Sequence, residues 1–123
     1  MDDETFKSLV EESLEEIPGE FNKLLQNVVI IIETNPTPLQ LRKLGFRGRG
    51  LLLGLYEGLP KTKRGKYGIG GNLPDKITIF KQPIESLSQN ISDIKTLVAD
   101  TVKHEIAHHF GMDEDAIRKT KKK

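Results

Sequence analysis

The sequence predicts an α+β fold in a single domain. Helical periodicity occurs near both ends of the chain, and three segments with strand character lie between those ends. Because the strands precede the long C-terminal helix and do not alternate regularly with helices, α+β is favoured over a doubly wound α/β fold. The 123 residues match about one domain and are too few for two independent cores. We therefore expect one domain over residues 1–123, with a basic end at 119–123 that frays in solvent.

The composition narrows the possible classes of function. Nineteen Lys and Arg against 18 Asp and Glu argue against a dedicated nucleic-acid binder, which usually has a large basic excess. The chain has no cysteine, which excludes disulfides, thiolate metal sites and cysteine nucleophiles. No apolar run approaches the roughly 20 residues that cross a bilayer, and the N-terminus is acidic where a signal peptide is basic. We expect a cytoplasmic monomer that binds neither nucleic acid nor membrane.

Two helices are predicted in the N-terminal part. Residues 3–16 form the first, because apolar side chains recur there at intervals of three and four, at Phe6, Leu9, Val10, Leu14 and Ile17. Pro18 and Gly19 end it, and residues 20–26 are expected to form a short second helix.

Three strands are predicted next. Residues 28–32 are a continuous apolar, β-branched run, which indicates a strand covered on both faces. Residues 51–56 form a second apolar run between glycines. A long glycine-rich loop is expected over residues 58–75, and residues 76–81 alternate polar and apolar side chains as a half-exposed strand does.

The C-terminal part is predicted to be helical. After a turn of helix within residues 83–89, Asn90 or Ser92 caps a long helix that runs to Phe110, and Gly111 ends it. A short terminal helix is expected over residues 113–122.

The long helix carries the motif His-Glu-x-x-His at residues 104–108, in the stretch that holds all three histidines. Residues four apart lie on one helix face, so His104 and His108 can offer two imidazole nitrogens to one metal ion. Glu105 lies about 100° round the helix, where it can take a proton from a metal-bound water. The two histidines are predicted beside Leu97, Ile94 and Val98, on an apolar face where imidazoles without partners would destabilise the fold. His109 points elsewhere on the helix and is expected either to pack against its neighbours or to support the metal ligands without binding the metal itself.

A zinc site of this kind needs a third protein ligand. Gly111 can stop the helix and turn the chain back, so that the carboxylate of Glu114 can reach the metal. Asp113, which has a shorter side chain, is the competing candidate. A ligand from elsewhere, or none, is the remaining possibility.

Three stretches, at residues 51–58, 73–80 and 104–114, resemble the small bacterial zincin-like metallopeptidases, also called minimal zincins. The resemblance implies a short mixed sheet with the motif helix beneath it. It also implies Zn²⁺ bound by His104, His108 and an acidic third ligand, with Glu105 as general base in the hydrolysis of a peptide or protein substrate. In zincins generally the substrate backbone pairs with an edge strand, and residues 76–81 are the candidate for that strand here.

The chain departs from the larger metzincins in two ways. Those proteins have histidine where this chain has Glu114, and they carry a methionine turn well downstream, whereas only nine residues follow Glu114 here. Met112 lies inside the motif and cannot be equated with that turn. We therefore expect a shallow, one-sided substrate cleft.

The same residues also allow interpretations in which the protein is not an enzyme. The histidines could simply pack in a core, or zinc could be structural, although structural sites usually have four protein ligands, mostly cysteine. The main alternative to a peptidase is a metal-stabilised binding module with little or no catalysis. A third hypothesis is an adaptor for acidic partners that uses two basic clusters: Arg42, Lys43, Arg47 and Arg49, then Lys61, Lys63, Arg64 and Lys66. The donor that stabilises the oxyanion is left open between Tyr56 and Arg64.

Overall fold

The structure is a computed structural model that describes residues 1–43, 51–58 and 74–111. The fold over these residues is α+β, as predicted: a small mixed sheet with several helices, one of them long. Most of the predicted glycine-rich loop, the predicted terminal helix at 113–122 and the basic end at 119–123 lie outside the described residues.

The described residues contain a three-stranded sheet made of β1 (Val28–Glu33), β2 (Gly54–Glu57) and β3 (Asp75–Phe80). The spatial order is β1-β3-β2, with β3 parallel to β1 and antiparallel to β2. Ile77, near the middle of β3, is opposite Ile30 of β1 and Tyr56 of β2. The sheet is therefore mixed, as the fold prediction required.

The predicted positions and exposures of the strands need correction. β3 was expected to be half-exposed and a candidate edge strand, but it is the central strand, and its last four residues are all buried. The prediction assumed that the polar side chain of Thr78 faces solvent, but Thr78 is only 1% exposed. β1 was expected to be covered on both faces, yet Val29 in it is 43% exposed, and β1 lies at one edge of the sheet that the described residues form. β2 begins at Gly54, three residues later than predicted.

The N-terminal helices follow the predicted pattern closely. Helix α1 (Asp3–Glu15) begins where the Asp2 carboxylate accepts a hydrogen bond from the Thr5 N–H at 2.9 Å, and it buries Phe6, Leu9 and Val10. The predicted helix at 20–26 is split into α2 (Gly19–Asn22) and a 3₁₀ turn (Lys23–Leu25).

A further short helix, α3 (Pro38–Lys43), was not predicted. Thr37 and Gln40 hydrogen-bond reciprocally at its start: the Gln40 N–H donates to the Thr37 hydroxyl oxygen at 3.1 Å, and the Thr37 N–H donates to Gln40 Oε1 at 2.8 Å. This is a capping box with proline at the first helical position, a signal that is present in the sequence.

The long helix has the predicted ends. After α4 (Lys81–Ser86), helix α5 (Ile91–Phe110) begins where the Asn90 side chain accepts a hydrogen bond from the Asp93 N–H at 2.8 Å. The cap is therefore Asn90 and not Ser92. At the other end Gly111 adopts the left-handed conformation, with φ of +73°.

The core lies where α5 packs against α1 and the sheet. Val98, Val102 and Ile106 recur at intervals of four along α5 and are fully buried. They pack in one cluster with apolar side chains of α1 and β3, namely Phe6, Leu9, Val10, Ile77 and Ile79. This packing fixes the rotation of α5 about its axis and brings the last two turns of the helix beside β2.

At Gly54, β2 lies close to the Thr101 side chain of α5. A Cβ atom added there would lie 2.5 Å from Thr101 Cγ2 and 3.2 Å from the Thr78 carbonyl oxygen. We expect Gly54→Ala to lower the free energy of unfolding by about 1–3 kcal/mol, since β2 would have to move away from the helix. Urea denaturation measures this change. The matched control is Gly19→Ala, where a Cβ would meet no atom within 4 Å.

A second variant tests whether the stability loss in Gly54→Ala comes from the steric clash with Thr101 or only from the reduced backbone freedom of alanine compared with glycine. Thr101→Ser deletes the Cγ2 methyl group, so adding it to Gly54→Ala should recover part of the lost stability. Equal stability losses for Gly54→Ala and Gly19→Ala would contradict the close approach.

Candidate metal centre

The motif residues lie on the last two turns of α5, on the side of the helix next to β2. The imidazole rings of His104 and His108 are one turn apart, with centroids separated by 6.2 Å and planes tilted by 60°. His104 is half-buried and His108 is exposed. The sequence motif thus places both rings together where a metal ion could enter from solvent.

The predicted surroundings of the histidines are only partly correct. His104 shares a cavity with Leu97, as expected, but also with Asp100 and Thr101. Ile94 and Val98, which were expected beside the histidines, belong to the core instead. The two imidazoles are therefore not enclosed in an apolar core as expected, because His104 is only half-buried and His108 is exposed.

The two imidazoles fit a shared metal ion by their chemistry and spacing. Zinc bound tetrahedrally at about 2.0–2.1 Å from one nitrogen of each ring would put the ring centroids about 5 Å apart. The observed 6.2 Å is about 1 Å longer, a difference that small side-chain rotations can close. Imidazole pairs at this helical spacing, with a carboxylate, are a normal zinc donor set.

The predicted third ligand lies beyond the described part of the chain, as does its competitor Asp113. Within residues 1–43, 51–58 and 74–111, no group of three His, Asp or Glu side chains could hold a metal ion. The left-handed Gly111 ends the helix three residues before Glu114, as the prediction required. Ligation by Glu114 stays a prediction.

Glu105 is held between the motif helix and the sheet. Its Oε1 accepts a hydrogen bond from the backbone N–H of Tyr56 in β2 at 2.9 Å. Burial raises the pKa of the Glu105 carboxyl above its ordinary value, against the opposing effects of the Tyr56 N–H and of the nearby His108 and His104. A raised pKa makes the carboxylate a better proton acceptor near neutral pH.

Tyr56 and His109 form an aromatic contact beside Glu105. The two rings are stacked, with centroids 4.0 Å apart and planes 18° from parallel, and Phe110 meets both edge-on. The Tyr56 hydroxyl donates to Asp75 Oδ2 at 2.7 Å. That proton is therefore engaged, which weakens the prediction that Tyr56 is the oxyanion donor; Arg64, the other candidate, lies outside the described residues. The packing expected for His109 is observed.

Sequence reasoning missed Asp75 as part of this site. It lies 19 residues from Tyr56 in the chain, and no local motif connects it to Tyr56 or His109. The one signal in the sequence was that residues 73–80, which include Asp75, resemble a segment of the minimal zincins.

Two cavities meet at Glu105. One, of about 290 Å³, is lined by Leu52, Tyr56, His108 and His109, and the other, of about 380 Å³, by Leu53, Leu97 and His104 among others. Leu52, Gly54 and Glu105 line both cavities. A larger groove of about 650 Å³, between the end of α1 and the first part of α5, includes none of the motif residues. We place the chemistry at the two smaller cavities because His104, Glu105 and His108 of the motif line them.

The strand beside these cavities is β2. In the described sheet β2 lies at one edge, whereas residues 76–81, the predicted substrate-pairing segment, lie mostly in the central strand β3. The prediction of that segment as the edge strand is thus wrong, because both sides of β3 are already paired within the sheet.

The predicted basic clusters fall almost entirely outside the described residues. Only Arg42, near the end of α3, has a described side chain. The adaptor hypothesis therefore stays an untested prediction. Among the described residues, no helix combines the length and apolar composition needed to cross a membrane.

Comparisons with known proteins show what the chain is similar to. A family model described as zincin-like metallopeptidase matches residues 25–123, which include the whole motif. A solved structure of a conserved hypothetical protein from Thermo thermophilus is 26% identical, with 88% of this chain and 92% of that chain covered and a TM-score of 0.54. No curated protein matches the chain.

Proposed function

The chain belongs to the zincin-like metallopeptidase family, and from this premise we propose that it is a zinc-dependent peptidase in which Glu105 is the general base. The observation that carries the proposal is the position of Glu105. It is half-buried, flanked along the helix by the two motif histidines, and hydrogen-bonded to an edge strand between two open cavities.

Three side chains would hold the metal in this proposal: His104, His108 and Glu114, with Asp113 as the alternative to Glu114. When bound, Zn²⁺ supplies a Lewis acid that polarises a carbonyl and lowers the pKa of a coordinated water towards about 7. The 6.2 Å spacing of the two rings and their access to solvent support this assignment.

Glu105 moves the proton. The Tyr56 N–H holds Oε1, which leaves Oε2 to accept a proton from the attacking water as the water oxygen bonds to the scissile carbonyl carbon. The same carboxyl then delivers that proton to the departing amine nitrogen as the C–N bond breaks. Burial, which raises the pKa of this carboxyl above its ordinary value in the metal-free protein, makes it a stronger base for the first step.

The proposed substrate is a peptide or protein segment. The cavities on either side of Glu105 have leucine side chains in their walls, including Leu52, Leu53 and Leu97. An extended chain beside β2 would place its backbone next to Glu105 and its side chains towards these cavities. The proposed partner is therefore a polypeptide and not a nucleic acid.

The activity is tested on protein purified without added metal. We expect about one equivalent of zinc per chain, cleavage of members of an unbiased peptide library detected by mass spectrometry, and loss of cleavage in excess chelator with recovery on adding zinc. Full activity in protein shown to be metal-free would refute the proposal. One tightly bound zinc with no cleavage, and lower stability after chelation, would favour the metal-stabilised binding module instead.

A further inference from the structure

Three of the contacts that Tyr56 makes connect it to its neighbours in the candidate site. Its backbone N–H donates to Glu105 Oε1 at 2.9 Å, its hydroxyl donates to Asp75 Oδ2 at 2.7 Å, and its ring stacks on His109 with centroids 4.0 Å apart. Two of these contacts reach α5 and the third reaches the start of β3. Tyr56 therefore connects β2 both to α5 and to β3.

The edge strand depends on such contacts for its position. β2 has four residues and, in the described sheet, pairs only with β3. Its free side carries the N–H of Tyr56 that holds Glu105, so any drift of β2 away from α5 lengthens this hydrogen bond. Gly58, the residue after β2, also packs closely against Asp75 and His109. A Cβ atom added to Gly58 would lie 3.3 Å from His109 Cε1 and 3.4 Å from Asp75 Oδ1.

We propose that Tyr56 is a positioning residue for Glu105. Asp75 and His109 hold the tyrosine side chain, the held side chain fixes β2, and the fixed backbone N–H orients the Glu105 carboxylate. The catalytic consequence rests on the proposed function, in which the other oxygen of Glu105 takes the proton of water. The structural consequence, a fixed hydrogen bond between β2 and α5, does not depend on catalysis.

The contacts also indicate what Asp75 contributes. His109 Nε2 lies 4.0 Å from Asp75 Oδ2, which is too long for a hydrogen bond, whereas the Tyr56 hydroxyl is at hydrogen-bond distance from the same oxygen. Asp75 thus acts on Tyr56 as a hydrogen-bond acceptor. Asparagine has a carbonyl oxygen that can fill this role, and alanine has none.

Hydrogen exchange in the metal-free protein tests the structural step. We expect the amide proton of residue 56 to exchange roughly fivefold faster in Tyr56→Phe and in Asp75→Ala, and at nearly the wild-type rate in Asp75→Asn. The amide of Val102, buried in the core of α5, should be unchanged in all three. Unchanged exchange at residue 56 in Tyr56→Phe, or an equal increase at Val102, would overturn the proposal.

Steady-state kinetics test the catalytic step on zinc-loaded protein. Tyr56→Phe and Asp75→Ala should each lower kcat about tenfold with little change in KM or zinc content, and the double variant should be no slower than either single one. Asp75→Asn should retain kcat. An active wild type with undiminished kcat in Tyr56→Phe overturns the positioning role alone. An inactive wild type refutes the proposed function, and hydrogen exchange then decides the structural role.

Discussion

Replacing Glu105 by glutamine should lower the rate of peptide hydrolysis by about 10²–10⁴-fold while zinc stays bound. Glutamine has nearly the same shape as glutamate, and its Oε1 can still accept the Tyr56 N–H, so the strand and helix keep their contact. The amide cannot take a proton from water or return one to the leaving amine. The variant therefore removes the proposed base and leaves its surroundings in place.

The measurement is kcat/KM on the best library peptide, with metal stoichiometry determined on the same sample. Glu33→Gln, at the exposed end of β1, removes one carboxylate far from the motif in sequence and is the matched control. It should leave both activity and zinc content unchanged. A Glu105→Gln protein that keeps more than about a tenth of wild-type activity would exclude Glu105 as the general base.

A second variant separates the charge of Glu105 from its reach. Glu105→Asp keeps a carboxylate but shortens the side chain by one methylene, which withdraws it from the Tyr56 N–H. If position matters as much as basicity, this variant should lose activity as well, because a general base must come within hydrogen-bond reach of the proton it takes.

The long helix could be predicted closely from sequence because its determinants are local. Asn90 caps it through the N–H of a residue three positions later, and Gly111 ends it because glycine tolerates a φ of +73°. The same holds for the motif, since residues four apart on any helix share a face. The capping box at Thr37 and Gln40 was equally local and equally visible in the sequence, but it was not used.

The strands were harder because their exposure depends on partners that the sequence does not name. β3 is central because β1 and β2 pair on either side of it, and nothing within residues 75–80 specifies those partners. The first five residues of β1 are apolar, yet none of them is fully buried and Val29 is exposed, so the composition wrongly indicated coverage on both faces. Strand type is a local property, whereas position in a sheet is set by the whole chain.

In the candidate site too, the local part could be predicted from sequence and the long-range part could not. His104, Glu105 and His108 come from one helix, so the sequence alone could bring them together. The contact between Tyr56 and Glu105 spans 49 residues, and that between Tyr56 and Asp75 spans 19. Such pairs follow from how β2 packs on α5 and pairs with β3, which periodicity and spacing cannot specify.

Removing His108, a proposed zinc ligand, should weaken zinc binding strongly without unfolding the protein. His108 is exposed, so His108→Ala should change the stability of the metal-free chain by no more than about 0.5 kcal/mol. Loss of a partner that merely supports a ligand weakens metal binding by about 10–100-fold, so loss of the ligand itself should weaken it by more than about 100-fold. At a zinc concentration about 100 times the wild-type Kd, wild type gains about 2.7 kcal/mol and the variant less than about 0.4 kcal/mol.

Thermal or urea unfolding with and without zinc measures that difference, and His109→Ala is the matched control. His109 is the adjacent histidine, but its ring stacks on Tyr56, so its loss should leave zinc-dependent stabilisation in place. Equal stabilisation of His108→Ala and wild type by zinc would contradict the assignment of His108, as would an equal loss in both histidine variants.

The same titration identifies the third ligand. Glu114 follows the helix-ending Gly111 by three residues and has the longer carboxylate arm, so Glu114→Ala should lose zinc-dependent stabilisation as His108→Ala does. Asp113→Ala should behave as wild type. The reverse result would assign the ligand to Asp113, and retention of zinc by both variants would mean that the third donor comes from another part of the chain. Both variants remove one negative charge from adjacent positions, so they change the local charge equally. A difference between them in zinc-dependent stabilisation therefore reports which carboxylate binds the metal.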